Sequence, residues 1–186
     1  MIQTASLTDP VYTIGHSTRT LPEFAALLSE SAIEVVADVR AIPRSRTNPQ
    51  FNLDSLPASL AELGIGYEHF PELGGRRHHP RGAPPSPNTF WRNESFRNYA
   101  DYAATDAFNV GLVRLRDLAN GQRCAIMCSE AVWWRCHRRI ISDYLLAQGI
   151  PVMHIMGAGT VDAATRTPHA QKLSDGALVY RSSDGS

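Results

Sequence analysis

Apolar and polar positions along this chain follow two periods in turn, and each change of period marks an element. Val11 to Gly15 (VYTIG) and Ile33 to Val39 (IEVVADV) are short runs rich in β-branched and aromatic residues, the composition of buried strands. Between them Thr20 and Glu23 stand at capping-box spacing, Pro22 suits a first helical turn, and Phe24, Leu27 and Leu28 share one helical face. Strand, helix and strand in such close succession predict a βαβ unit with parallel strands.

A second helix is predicted through Leu53, Leu56, Leu60 and Leu63, with Gly64 as its C-cap, and then a strand from Ile65 to Phe70. Both periods lapse from Gly74 to Asn93 (GGRRHHPRGAPPSPNTFWRN), so residues 74–94 read as a long Gly/Pro/Arg/His-rich loop of the kind that serves as a lid. Helical spacing returns at Phe96 to Ala104 and Leu112 to Ala119, and a strand is expected at Arg123 to Met127. The spacing of Ile140, Ile141, Tyr144 and Leu145 predicts a helix over Ala131 to Gln148, stopped by Gly149 before a strand at Pro151 to Met156. In the less patterned tail, residues 157–186, Ala177 to Tyr180 is a candidate edge strand. The sum is one α/β domain: three αβα layers around a mostly parallel sheet of about five strands.

Composition narrows the function. A chain of 186 residues, 43% of them apolar, buries one core. Lys plus Arg and Asp plus Glu cancel at 18 each, so any preference for an anion has to be local. No apolar run reaches membrane length, and MIQTASLTDP at the start has neither the basic nor the hydrophobic part of a secretion signal. The expectation is a cytoplasmic protein without membrane contact, its three cysteines reduced. The pattern is silent on oligomeric state.

In a parallel sheet, ligands bind beyond the carboxyl ends of the strands, where loops and helix N-termini converge. The predicted strands end in His16, Ser17 and Arg19, in Asp38 and Arg40, and in Cys128 and Glu130, which brings the polar residues of three strands to one rim. Taken singly, Asp38 with Arg40 reads as a rim ion pair and His16 as a side chain that caps a helix or hydrogen-bonds a carbonyl; taken together they read as a site. After Arg40, the forks of Arg44 and Arg46 flank Ser45 and suit bidentate capture of phosphate or carboxylate, with Phe51 as an aromatic face for a base. The segment RRHHPR, Arg76 to Arg81, adds cationic groups beside Phe90 and Trp91, a pattern suited to a nucleotide or a single strand.

The stretch MCSEAVWWRCHRR, Met127 to Arg139, holds the remaining chemistry. With Ser129 capping the predicted helix, Cys128 would sit at the helix N-terminus, where amide donors and the helix dipole stabilise a thiolate. Glu130, Trp134, His137 and Arg138 would then share a face turned to the rim, while Cys136 would fall in line with the buried stripe and Cys124 with the strand's core face. Cys128, Cys136, His137 and His16 lack a standard metal-ligand spacing, so neither a metal nor another cofactor is assigned.

Five blocks together resemble the bacterial and archaeal family catalogued as domain of unknown function 488: YTIGHSTR (Tyr12 to Arg19), DVRAIPRSRTNPQFN (Asp38 to Asn52), LGIGYEHFPELGG (Leu63 to Gly75), SFRNYADY (Ser95 to Tyr102) and MCSEAVWWRCHRRII (Met127 to Ile141). The resemblance implies a small α/β protein and draws attention to His16, Ser17, Asp38, Arg40, Ser45, Arg46 and Phe51, and further on to Gly74, Gly75, Cys128, Glu130, Cys136, His137 and Arg138. It implies no activity. A fainter likeness joins Asp38 to Arg40, Cys128, Leu146, Gly149 and Val152 to the rhodanese superfamily, although SEAVWWR, Ser129 to Arg135, replaces the Arg-rich anion cradle found there.

Three functions follow from these residues. The first is an enzyme acting on a nucleotide or nucleic acid, with His16, Asp38, Glu130 and His137 in acid-base roles and Ser17, Arg19, Arg40, Arg44, Ser45, Arg46, Phe51, Arg76 and Arg138 binding substrate. The second is a thiol enzyme of rhodanese or phosphatase type in which Cys128 is the nucleophile. The third is a module that binds nucleic acid without turnover.

Overall fold

A computed structural model describes residues 9–183. Nearly all of the opening stretch read for a secretion signal, and the last residues of the tail, lie outside that range.

The elements run β1 (Val11–Gly15), α1 (Leu21–Glu30), β2 (Val35–Asp38), α2 (Leu56–Ala61), β3 (Gly66–His69), α3 (Glu94–Ala103), α4 (Asp106–Gly121), β4 (Cys124–Cys128), α5 (Arg138–Ala147), β5 (Val152–Gly157), β6 (Thr160–Ala163), β7 (Ala170–Lys172) and β8 (Leu178–Tyr180). The main sheet has the order β3-β2-β4-β1-β5-β6, with β1 to β5 parallel and β6 antiparallel on the β5 edge.

Side chains alternate across this sheet. Tyr12, Ile14, Val36 and Met127 face the α1 and α2 layer, with Phe24, Leu28, Phe51 and Leu60. Val11, Val35, Ile126 and Cys128 face the α3, α4 and α5 layer, with Tyr99, Phe108, Leu112, Ile140 and Leu145. The two layers follow from handedness. Connections that step toward β3 carry α1 and α2, those that step back toward β5 carry α3, α4 and α5, and crossovers of one hand put the two sets on opposite faces.

Local signals account for several element ends. Thr20 and Glu23 form the reciprocal capping box at the start of α1. Gly64 and Gly149 adopt φ +73° and +79° after α2 and α5, the left-handed conformation that closes a helix. The α2 helix is shorter than predicted: Pro57 in its first turn sets its start at Leu56, which leaves Leu53 and Leu63 exposed outside it.

Two corrections concern the C-terminal half. Ala177 to Tyr180 adds no edge to the main sheet. β8 pairs with β7 in a separate hairpin, held by Leu178 N–H to Tyr144 Oη (3.0 Å) and Tyr180 N–H to Asn88 Oδ1 (2.9 Å). The last helix begins at Arg138 instead of Ala131. Residues 129–137 form a loop with one 3-10 turn at Trp133–Arg135, pinned by Trp133 stacked on His154 at 4.4 Å and by Arg138 Nη2 donating to Glu130 O at 2.6 Å. Residues 74–93 form neither helix nor strand, as expected, yet Asn88 and Trp91 near the end of that loop are buried.

Candidate functional site

β1 and β4 are neighbours whose outgoing connections diverge to opposite faces of the sheet. A crevice opens at such a switch point beyond the carboxyl ends of the strands. Here it is a cavity of about 370 Å³ walled by His16 and Ser17 after β1, Arg40, Ala41, Ile42, Arg44, Ser45 and Asn48 after β2, Gly75 and Arg76 after β3, Ser129 after β4, and Cys128 and His137. The β1–β4 ladder continues past the strands through His16 N–H to Cys128 O (2.9 Å) and Ser17 N–H to Ser129 O (3.0 Å). Such close approach requires glycine at position 15, because a Cβ there would lie 1.9 Å from Glu130 O.

Behind the wall is a buried polar network. The Asp38 carboxylate accepts Arg40 Nε at 2.9 Å, Arg40 Nη2 at 2.6 Å and Tyr67 Oη at 2.6 Å, and Arg40 Nη2 also donates to Phe51 O at 2.7 Å. Arg40 Nη1 donates to His16 Nε2 at 3.2 Å, and His16 Nδ1–H donates to Ser17 O at 2.8 Å, so the imidazole is neutral with both nitrogens engaged. Burial, reinforced by the Arg40 charge and opposed by the Ser17 carbonyl, lowers the His16 pKa to about 4. The ring lies flat on Phe51, with centroids 4.2 Å apart.

A sulfur cluster adjoins this network. The Sγ atoms of Cys128 and Cys136 and a ring nitrogen of His137 lie within 4.8 Å of one another. Cys136 Sγ accepts Arg138 Nε at 3.3 Å and Arg138 N–H at 3.5 Å. Burial alone would raise the Cys136 pKa; the hydrogen bond from Cys128 and the charge of Arg138 outweigh it and hold Cys136 below the ordinary thiol value. Sharing a proton with Cys136, together with burial, pushes Cys128 the other way. With α5 starting at Arg138, it is Cys136 and not Cys128 that adjoins the helix N-terminus, which corrects the expected placement of Cys128 there. Ser129 caps no helix, and Glu130 and Trp134 do not share a helical face with His137 and Arg138.

The structure thus brings His16, Ser17, Arg40, Arg44, Ser45, Arg76, Cys128 and His137 to one cavity wall. Asp38 is fully buried behind Arg40. Glu130 lines a smaller adjoining cavity of about 180 Å³ with Cys136, and the two cavities share Gly75, Arg76, Cys128 and His137. Four expected members are placed elsewhere. Arg19 turns away to donate to Gly15 O and Met156 O. Arg46 is exposed off the cavity wall, Arg138 is buried in the sulfur cluster, and Phe51 is fully buried against His16 with no face for a base.

Sequence reasoning missed Tyr67 and also His69, whose Nε2 hydrogen-bonds Arg40 O at 2.8 Å. Both sit on β3, and only the β2–β3 register, Asp38 opposite His69, brings them to this network.

Comparison with known proteins bears on the same residues. The family model described as domain of unknown function DUF488 matches residues 20–145, more than half of the chain. The chain belongs to this family. The DUF488 match takes in the Asp38–Arg40 pair and the whole Cys128, Cys136 and His137 cluster, while His16 and Ser17 precede it. No curated protein and no solved structure matches the chain.

Proposed function

We propose that the switch-point cavity is the active site of an enzyme acting on a small phosphate-bearing substrate by hydrolysis or group transfer. The observation that carries the reading is the charge of the wall. Arg40, Arg44 and Arg76 line it and no carboxylate among the described residues does, in a chain whose formal charges cancel. Such a concentration of guanidinium groups at the carboxyl edge of a parallel sheet favours an oxyanion ligand.

The arginines divide the task. Arg40 is neutralised by Asp38, and with Nε, Nη2 and one Nη1 hydrogen engaged by Asp38, Phe51 O and His16 it offers the cavity a single fixed Nη1 donor rather than a free charge. Arg76 makes no ion pair among the described residues, and the Arg44–Asp54 pair is exposed and 4.0 Å long, so these two supply the net positive charge. Residues 74–94, whose Gly75 and Arg76 stand on the wall, act as the lid. A volume of about 370 Å³ suits a mononucleotide or phosphorylated metabolite better than a strand.

A thermal-shift and calorimetric series over inorganic phosphate, pyrophosphate, nucleotides and oligonucleotides tests this. Saturating binding of one class should stabilise the protein by about 2.7 kcal/mol at a hundred times its dissociation constant, and Arg44→Ala with Arg76→Ala should abolish the shift. Absence of any saturable shift, or an unchanged shift in the folded double variant, defeats the reading. Tight binding without turnover would favour the binding module instead.

The paired hydrogen bonds from Arg138 to Cys136 Sγ favour a second reading, covalent thiol catalysis with Cys136 as nucleophile. Its mark is an adduct on Cys136 in intact and peptide mass spectra taken during turnover.

A further inference from the structure

We propose that Cys128, Cys136 and His137 form a binding site for a soft divalent cation, zinc by preference, with a fourth coordination position open to the two cavities. The role in catalysis rests on the substrate reading above; the binding itself does not.

The donor atoms are already gathered. Cys136 Sγ and His137 Nδ1 are 3.7 Å apart, and Zn–S and Zn–N bonds at a tetrahedral angle place such atoms about 3.6 Å apart. No pair in the cluster is farther apart than 4.8 Å, so closure on an ion takes small side-chain rotations. Cys136 and His137 are consecutive, but the backbone passes from extended at Cys136 (φ −124°, ψ 149°) to helical at His137 (φ −59°, ψ −17°), which lets both face Cys128.

His137 supplies an independent observation. Its Nε2 lies 2.9 Å from Val39 O, and a carbonyl only accepts, so Nε2 carries a proton and the nitrogen available to a metal is Nδ1, on the side of the Cys136 sulfur. A ligand histidine fixed through its other nitrogen by a backbone carbonyl is the usual outer support of a metal site. Gly75 keeps that edge clear, since a Cβ there would lie 3.0 Å from Nδ1.

The donor set selects the ion. Two thiolates and an imidazole suit Zn²⁺ rather than Mg²⁺ or Ca²⁺, which take oxygen. Arg138 does not exclude a cation, because its Nε is directed at the Cys136 sulfur and metal binding releases the thiol protons, which sets two thiolates beside one guanidinium. Three protein ligands with one open position is the arrangement of catalytic zinc, and the open side here is walled by Arg76 and Glu130.

The full chain, purified without chelator, is assayed by elemental mass spectrometry, then stripped and titrated with Co²⁺. The expected results are stoichiometric zinc and, with cobalt, thiolate-to-metal charge-transfer absorption with the visible bands of a four-coordinate ion. Cys128→Ser, Cys136→Ser and His137→Ala should each weaken binding at least tenfold, while Cys124→Ala, outside the cluster, should not. If the variants fail to fold, wild-type protein decides the matter through alkylation mapped by peptide: zinc should protect Cys128 and Cys136. Folded wild type that holds only trace metal and gives no cobalt charge-transfer band overturns the proposal, as does unchanged affinity in a folded Cys128→Ser, Cys136→Ser double variant. Metal binding without phosphate-type binding would remove the substrate reading and keep the site; phosphate-type binding without metal would do the reverse.

Discussion

Replacing Asp38 by Asn isolates what the buried Asp38–Arg40 pair does. Asp38 is fully buried and Arg40 only 6% exposed. Oδ1 accepts Arg40 N–H (3.1 Å) and Nε (2.9 Å), and Oδ2 accepts Arg40 Nη2 (2.6 Å) and Tyr67 Oη (2.6 Å). Whichever oxygen becomes an amide NH₂, two donors lose their acceptor and the guanidinium is left with no countercharge. Removing one partner of a buried pair costs about 3–5 kcal/mol. For a chain of this size each kcal/mol moves Tm by about 2–4 °C, so Tm should fall by about 6–20 °C.

Equilibrium urea unfolding at neutral pH, followed by circular dichroism and tryptophan fluorescence, measures the loss. Asp38→Leu with Arg40→Met replaces the whole pair by apolar volume and should recover most of the stability while losing the fixed anion donor. The exposed Arg44–Asp54 pair is the internal control: Asp54→Ala should cost under about 0.5 kcal/mol. An Asp38→Asn variant within about 1 kcal/mol of wild type would refute the argument that this pair is the structural support of the cavity.

Two further outcomes are expected. His154 is buried, bonded through Nδ1 to Thr13 Oγ1 at 2.7 Å and stacked on Trp133; burial and the Arg138 charge lower its pKa from 6.5 to about 4. The unfolded chain therefore binds the extra proton first, so stability is full above pH 6.5 and falls as pH drops toward 4, by up to about 3 kcal/mol from this group. Imidazole NMR titration checks this, and a His154 resonance that titrates near 6.5 refutes it. Gly15→Ala would drive its Cβ into the Glu130 backbone carbonyl at 1.9 Å and should cost about 3 kcal/mol or more through displacement of residues 129–131. An unchanged melting curve in thermal denaturation would show that the loop yields freely.

Much of this protein was legible in its residues because the deciding forces are local. Alternation and helical period located the five parallel strands, the capping box began α1 at Leu21, and Gly64 and Gly149 took the positive φ that ends a helix. Placing His16, Arg40 and Cys128 at strand carboxyl ends followed from the same pattern, since in a parallel sheet those ends share a rim. Tertiary structure decided the rest. Sheet order sets β4 between β1 and β2 and so brings Cys128 beside His16, and the β2–β3 register delivers Tyr67 to Asp38. Residues 131–137 have a helix-compatible pattern, yet Trp133 on His154, Arg138 on Glu130 O and His137 on Val39 O draw them out of the helix. Contacts between distant segments exceed the small propensity differences that a local pattern registers, and they put Cys136 instead of Cys128 beside the start of α5.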